Sequence, residues 1–143
     1  MGKQELDNLV KIHRLKTEPP THSEYAGMLE SARKRLIDAH NEDLDPDSRF
    51  DLAYGAAHRL ALAALRREGY RSEDRVAVFQ TLAHTLGTDP SHIQTFLKAH
   101  NERNLAEYQG RMEIDAKLLA ALLRSTKHLE TEVGKLAPPP EER

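Results

Sequence analysis

Apolar residues recur along this chain at helical spacing, in stripes separated by caps, glycines and prolines. Residues 3–15 carry Leu6, Leu9, Val10 and Ile12, enough for a short helix that Pro19 and Pro20 are expected to stop. Ser23 is placed to cap a second helix running to about residue 42, with Tyr25, Met28, Leu29, Ala32, Leu36 and Ala39 on one face. Beyond Pro46 a third stripe holds Phe50, Ala53, Tyr54, Ala57, Leu60, Ala61, Ala64 and Leu65, with Asp45 or Asp47 as its cap and Gly69 at its end. Its many alanines allow a neighbouring helix to come close. Ser72 opens a fourth helix with Val76, Phe79, Leu82, Ala83 and Leu86, which Gly87 ends. Asp89 followed by Pro90 is a strong start signal for a fifth, reaching to about Gly110. A last helix over 112–136 has the seam Ala116, Leu119, Leu122, Leu123, Leu129, Val133 and Leu136. Pro138, Pro139 and Pro140 then predict a frayed tail.

No stretch alternates with period two over a useful length, and β-branched residues are sparse. The pattern therefore predicts an all-α fold: an antiparallel up-and-down helical bundle of four long helices plus short extra helices. Residues 1–20 read as a short helix and linker, 21–136 as the bundle and 137–143 as a Pro-rich disordered tail.

Composition narrows the chemistry. The chain has 143 residues, which suits one domain, and no cysteine, which removes disulfides and thiolate metal sites. No window approaches the ~18 consecutive apolar residues of a membrane span, and the N-terminus lacks the apolar core of a signal peptide. A soluble cytoplasmic protein with no membrane partner is the expectation. With 21 basic and 23 acidic residues the net charge is −2, unlike a protein that coats DNA. A local basic patch remains open: Arg59, Arg66, Arg67, Arg71 and Arg75 cluster, as do Arg33, Lys34 and Arg35, and a solvated helix face is the simplest account of them. The acidic run Glu42, Asp43, Asp45, Asp47 and Asp51 lacks the glycine and terminal glutamate of an EF-hand, so it reads as a loop and helix N-terminus. The histidines never fall three or four apart, so no one helix offers a two-histidine metal site, and neither metal nor cofactor is expected. There is no G-x-S-x-G and no Gly-rich phosphate loop.

The fifth helix poses the functional question. Its stripe begins with Ile93, Phe96 and Leu97 and continues as His100, Arg103, Asn104, Glu107 and Tyr108. Burying such groups without partners costs on the order of 1–3 kcal/mol each. Either the helix end meets solvent, or the groups form a satisfied network beside a groove. Arg suits phosphate, Asn can orient it, His moves protons near neutral pH, and Tyr can stack on a base. Together they suit a phosphodiester.

The stretch "RNLAEY" resembles the signature of the HEPN domain, a small helical bundle found in prokaryotic toxin–antitoxin systems. In that family an Arg and a polar residue precede a His within a metal-independent ribonuclease site, commonly formed across a dimer. Arg103 and Asn104 occupy the first two positions, and Tyr108 stands where the His is expected, with four residues intervening. "RFDLAYGAAHRLALAALRREGYR" and "LIDAH" resemble the family's preceding helices. The resemblance implies a homodimer, an RNA or nucleotide ligand, and a nucleotidyltransferase or antitoxin partner. Arg103, Asn104 and Tyr108 become the candidate site, with His100 as a substitute imidazole. A phenol, with a pKa near 10, is a poor base, so the expected function is binding of nucleic acid, nucleotide or a protein partner with weak or lost ribonuclease activity. Two alternatives stay open: an active metal-independent ribonuclease, and a structural module whose alanine-rich helix (49–66) docks another chain.

Overall fold

The stripes close on one another in a computed structural model, which describes residues 2–110 and 114–141. In chain order the elements are α1 (Lys3–Lys11), β1 (Lys16–Thr17), α2 (His22–Ala39), α3 (Pro46–Arg67), β2 (Tyr70–Arg71), α4 (Arg75–Gln80), α5 (Leu82–Thr85), α6 (Pro90–Gln109) and α7 (Ala116–Gly134). The four long helices α2, α3, α6 and α7 make an all-α bundle, and the short helices cover it. Among the described residues no helix is long and apolar enough to cross a membrane.

Local chemistry explains most boundaries. The Thr21 hydroxyl accepts from Glu24 N–H at 3.3 Å and starts α2, so the cap is Thr21 and not Ser23, and the helix ends at Ala39. Pro46 is the first residue of α3, after Asp45. Asp89 accepts from Ser91 N–H at 2.8 Å ahead of Pro90, as the start signal requires. Asp115 accepts from Lys117 N–H at 2.9 Å and starts α7. The expected start at Met112 lies outside the described residues.

Three features depart from the pattern. The first helix stops at Lys11, well before Pro19, and His13 turns the chain with φ +63°. That turn returns Leu15 to the core and pairs β1 antiparallel with β2, Lys16 opposite Arg71 and Thr17 opposite Tyr70. The helix expected over 72–87 starts after Asp74, whose side chain accepts from Ala77 N–H, and it is broken at Thr81. The Thr81 hydroxyl donates to Val78 carbonyl at 2.6 Å, inside the bundle. The proline-rich end lies against the bundle: Arg67 Nε donates to Ala137 carbonyl at 2.6 Å, and His22 Nδ1 lies 2.9 Å from Pro139 carbonyl.

Helix directions follow from which ends meet. Arg49, at the start of α3, donates to Ala39 carbonyl at the end of α2, while Arg66, at the end of α3, reaches Glu24 at the start of α2. The two are antiparallel. Tyr54 of α3 meets His100 of α6, and Asp51, one turn earlier on α3, lies in the field of Arg103 and Glu107 farther along α6, so these also run oppositely. The central helix is α3. Ala53, Ala56, Ala57, Ala61, Ala63 and Ala64 are buried, and their small size lets α2 and α7 pack closely on either side of it. Phe50, Tyr54, Phe79, Phe96, Leu122 and Leu129 supply the bulk of the core.

Arg66 is 2% exposed, against the expectation of a solvated basic face. Its Nε donates to Glu24 Oε1 at 2.7 Å, and Nη1 donates to the carbonyls of Glu18 and Tyr70 at 2.8 and 3.3 Å. Nη2 donates to Pro19 carbonyl at 2.9 Å and stands 3.1 Å from Glu18 Oε2. Arg71 closes the network on the same two glutamates, and its hydrogen bond holds the Glu18 carboxyl below the usual carboxylate range. One guanidinium thus ties the end of α3 to β2, to the 18–20 turn and to α2. Arg66→Ala would leave Glu24 paired with Arg71 alone and remove the side-chain donor from three carbonyls, changes that together cost about 3 kcal/mol. Thermal unfolding should fall by about 10 °C; a fall of under about 2 °C would mean the network contributes little.

Candidate functional site

The cluster is built around Tyr54, whose place in the alanine stripe of α3 leaves it 1% exposed. Its ring meets Phe79 of α4 edge-on at 5.9 Å and lies across His100 of α6 at 6.1 Å. Two guanidinium carbons approach the same ring: Arg103 of α6 at 5.2 Å and Arg75 of α4 at 5.6 Å from its centroid. At these distances the ring quadrupole attracts each cation by about 0.5–2 kcal/mol. Tyr54 therefore offsets part of the repulsion between two like charges.

His100 is held at both ring nitrogens. Asn104 Nδ2, a donor, lies 3.0 Å from Nε2, so that nitrogen accepts. The ring proton then sits on Nδ1 and is donated to the Tyr54 oxygen at 2.7 Å. Burial lowers the His100 pKa, and Arg75 and Arg103 lower it further. The imidazole is therefore neutral and positions Tyr54 and Asn104. With both nitrogens engaged, it can serve as a base only if Asn104 moves away.

The expected site divides in two. His100 and Arg103 are half-buried against Tyr54, and Arg103 is anchored to Glu107 at 3.2 Å with its side chain 30% exposed. Asn104 is exposed but reaches His100. Tyr108 is 91% exposed, one turn farther along, where α6 has outrun the bundle. Gly110, with φ +77°, then ends the helix in the left-handed conformation that glycine adopts without strain. The solvent-facing account therefore describes the last turn, and the network account describes the turn before it.

The stripe on α6 alone did not reveal the partners from other helices. His58 on α3 meets Phe79 edge-on at 6.0 Å and is mostly enclosed. Burial, then the nearby Arg75, Arg59, His100 and Arg103, push its pKa down to about 4. Asp51, one turn before Tyr54, has its carboxyl pushed up by burial, while Arg103 pulls it down. A weak signal existed: His58 follows Tyr54 of the α3 stripe by one turn, and Arg75 belongs to the arginine-rich run.

Two other features bear on chemistry. His92 Nδ1 lies 2.8 Å from Ser125 Oγ, and His92 stacks on His128 at 4.4 Å. Ser125 is 4% exposed in the α6–α7 contact, so the pair joins two helices and is not an accessible nucleophile. Among the described residues no group of three or more His, Cys, Asp or Glu is placed to hold a metal ion. The alanine face of α3, considered above as a docking surface, is buried within the chain's own bundle. Comparisons with protein-family models, with curated proteins and with solved structures find no match to this chain.

The His58 ring charges below about pH 6.5 in the unfolded chain but only below about pH 4 in the folded one. Its contribution to stability is full above pH 6.5 and declines as pH falls through that interval. Urea unfolding from pH 6.5 to about 5.5 should show about 1 kcal/mol less loss in His58→Gln than in wild type. An equal loss in the two proteins would contradict a neutral, enclosed His58.

Proposed function

We propose that this chain is a HEPN-like helical module whose Arg103 face binds the phosphodiester backbone of a nucleic acid, RNA in the first instance. The observation that carries the reading is the pairing of Arg103 and Arg75 over one buried ring, with guanidinium from two helices held beside neutral imidazole. A chain of net charge −2 has concentrated cations here. Guanidinium presents a planar set of donors that matches phosphate oxygens. The order of the sequence motifs, with Arg103 and Asn104 in the positions of the HEPN signature, supports the same ligand.

Ribonuclease activity is weak or lost in this reading. Metal-independent cleavage needs a base for the 2′-hydroxyl and an acid for the leaving oxygen. Tyr108 holds a phenol in the signature's imidazole position and is turned to solvent. His100 has no free ring nitrogen. In this reading a second copy of the chain would pack on the exposed end of α6, where Leu105 and Tyr108 are 48% and 91% exposed. A homodimer would bring two such faces together, and a nucleotidyltransferase or antitoxin is the partner class that the HEPN resemblance implies.

Short single-stranded RNA should bind at low salt, and Arg103→Ala should weaken it roughly tenfold, the loss of one charge-assisted contact. Equal affinity of the two proteins, or no binding by either, would refute the reading. With EDTA present, wild type should leave RNA intact. Tyr108→His, which restores the signature, is the variant expected to gain cleavage; efficient cleavage by wild type would instead establish an active ribonuclease.

A further inference from the structure

The cations around Tyr54 do not end at Arg75. Arg59 lies one turn after Gly55 on α3, with Nη1 donating to Gly55 carbonyl at 3.0 Å. Arg35 reaches across from α2, held by Ser31 through its hydroxyl at 2.5 Å and its carbonyl at 3.4 Å. Burial lowers the pKa of Arg59, and Arg35 and Arg75 lower it further, so three guanidinium groups from three helices share one field. Among the described residues none of the three pairs with a carboxylate. This contrasts with Arg66 and Arg71, which are saturated by Glu18 and Glu24, and with Arg103, which has Glu107.

Gly55 makes this arrangement possible. A Cβ at that position would lie 3.1 Å from Arg59 Nη1 and 3.7 Å from Arg35 Cδ. Glycine weakens a helix interior, yet here it opens a shallow floor in the middle of α3 on which two arginines lie. Cations gathered without counter-charges, over a floor that a side chain would fill, are the makings of an anion seat.

We infer that Arg35, Arg59 and Arg75, over the floor at Gly55, form a second phosphate seat beside the one at Arg103, so that the face holds successive phosphates of a single nucleic-acid strand. Arg75 is the link, since it approaches the Tyr54 ring from α4 while Arg103 approaches it from α6. The inference rests on the reading of the Arg103 face as a nucleic-acid site and adds its length: a mononucleotide would fill one seat, a strand fills both. His58 lies within the field of all four cations except Arg35 and gives the bound strand an uncharged, partly enclosed neighbour.

The test is binding of a short labelled oligouridylate to the full chain across a range of salt concentrations. Four proteins are compared: wild type, Arg35→Gln/Arg59→Gln, Arg103→Ala and Gly55→Leu. The double variant should bind roughly tenfold more weakly at about 0.1 M salt. Its slope of log affinity against log salt should be shallower by about 0.7, the release of one phosphate contact from a single strand. Gly55→Leu keeps every charge, but its Cβ would stand 3.1 Å from Arg59 Nη1 and must displace that side chain, so its unfolding temperature is measured alongside binding to show that the fold is kept. This variant should weaken binding, because the leucine covers the floor. Wild-type affinity in both the double variant and Gly55→Leu, with loss in Arg103→Ala, would overturn the second seat and leave the Arg103 site standing. No binding by wild type would overturn both. Equal competition by poly-glutamate would mean that the face holds carboxylates as well as phosphates and would overturn the assignment to a nucleic-acid strand.

Discussion

Arg66 is a charge that folding withdraws from water, and such a group persists only if every donor finds a partner. Here Nε, Nη1 and Nη2 are met by Glu24, by the carbonyls of Glu18, Tyr70 and Pro19, and by the Glu18 carboxylate. The partners come from β2, four residues beyond Arg66, and from the turn after β1 and the start of α2, more than forty residues before it. The network therefore does more than stabilise one contact: it fixes where α3 ends relative to the start of α2. Since α3 is the helix on which α2, α4, α6 and α7 all pack, its register sets the positions of the rest.

The same helix links stability to the site. Alanines along α3 bring α2 and α7 close, and Tyr54 fills the space toward Phe79 of α4 and His100 of α6. Tyr54 has two physical roles there. Its ring is core, packed against Phe79, and its edge and hydroxyl form the base of a polar cluster. Repulsion among Arg75, Arg103 and the histidines is balanced by the ring, by Glu107 and by the neutrality of His58 and His100. A face that gathers cations and lowers the pKa of its own imidazoles is favourable ground for an anion, which would relieve both effects at once.

The long helices were legible because their signals are local. Asp89 before Pro90, the apolar stripes and the terminal glycines each act within a turn or two. What escaped depends on distant partners. A two-residue ladder between Lys16–Thr17 and Tyr70–Arg71 has no sequence period to detect. The burial of Arg66 was hidden because an arginine in a basic run is ordinarily solvated, and Glu18 and Pro19 are far from it in sequence. Within the site, the inward turn of Arg103 could be read from its place seven residues after the buried Phe96. The same spacing misled at Tyr108, because periodicity says which side a residue takes but not where the neighbouring helices stop. Arg75, Arg59 and His58 join Arg103 only through tertiary packing.

A buried clamp fixes α3, α3 presents Tyr54, and Tyr54 gathers guanidinium groups from two further helices into the surface proposed above to hold a phosphodiester chain. The most direct measurement is an NMR titration with short RNA that follows the guanidinium Nε–H signals of Arg75 and Arg103 and the imidazole signals of His58 and His100. The account predicts that these four move first and together, with both imidazoles gaining basicity as negative charge arrives beside them. Signals that move only on α7, or at the exposed end of α6 while these four stay still, would place any RNA elsewhere and contradict it.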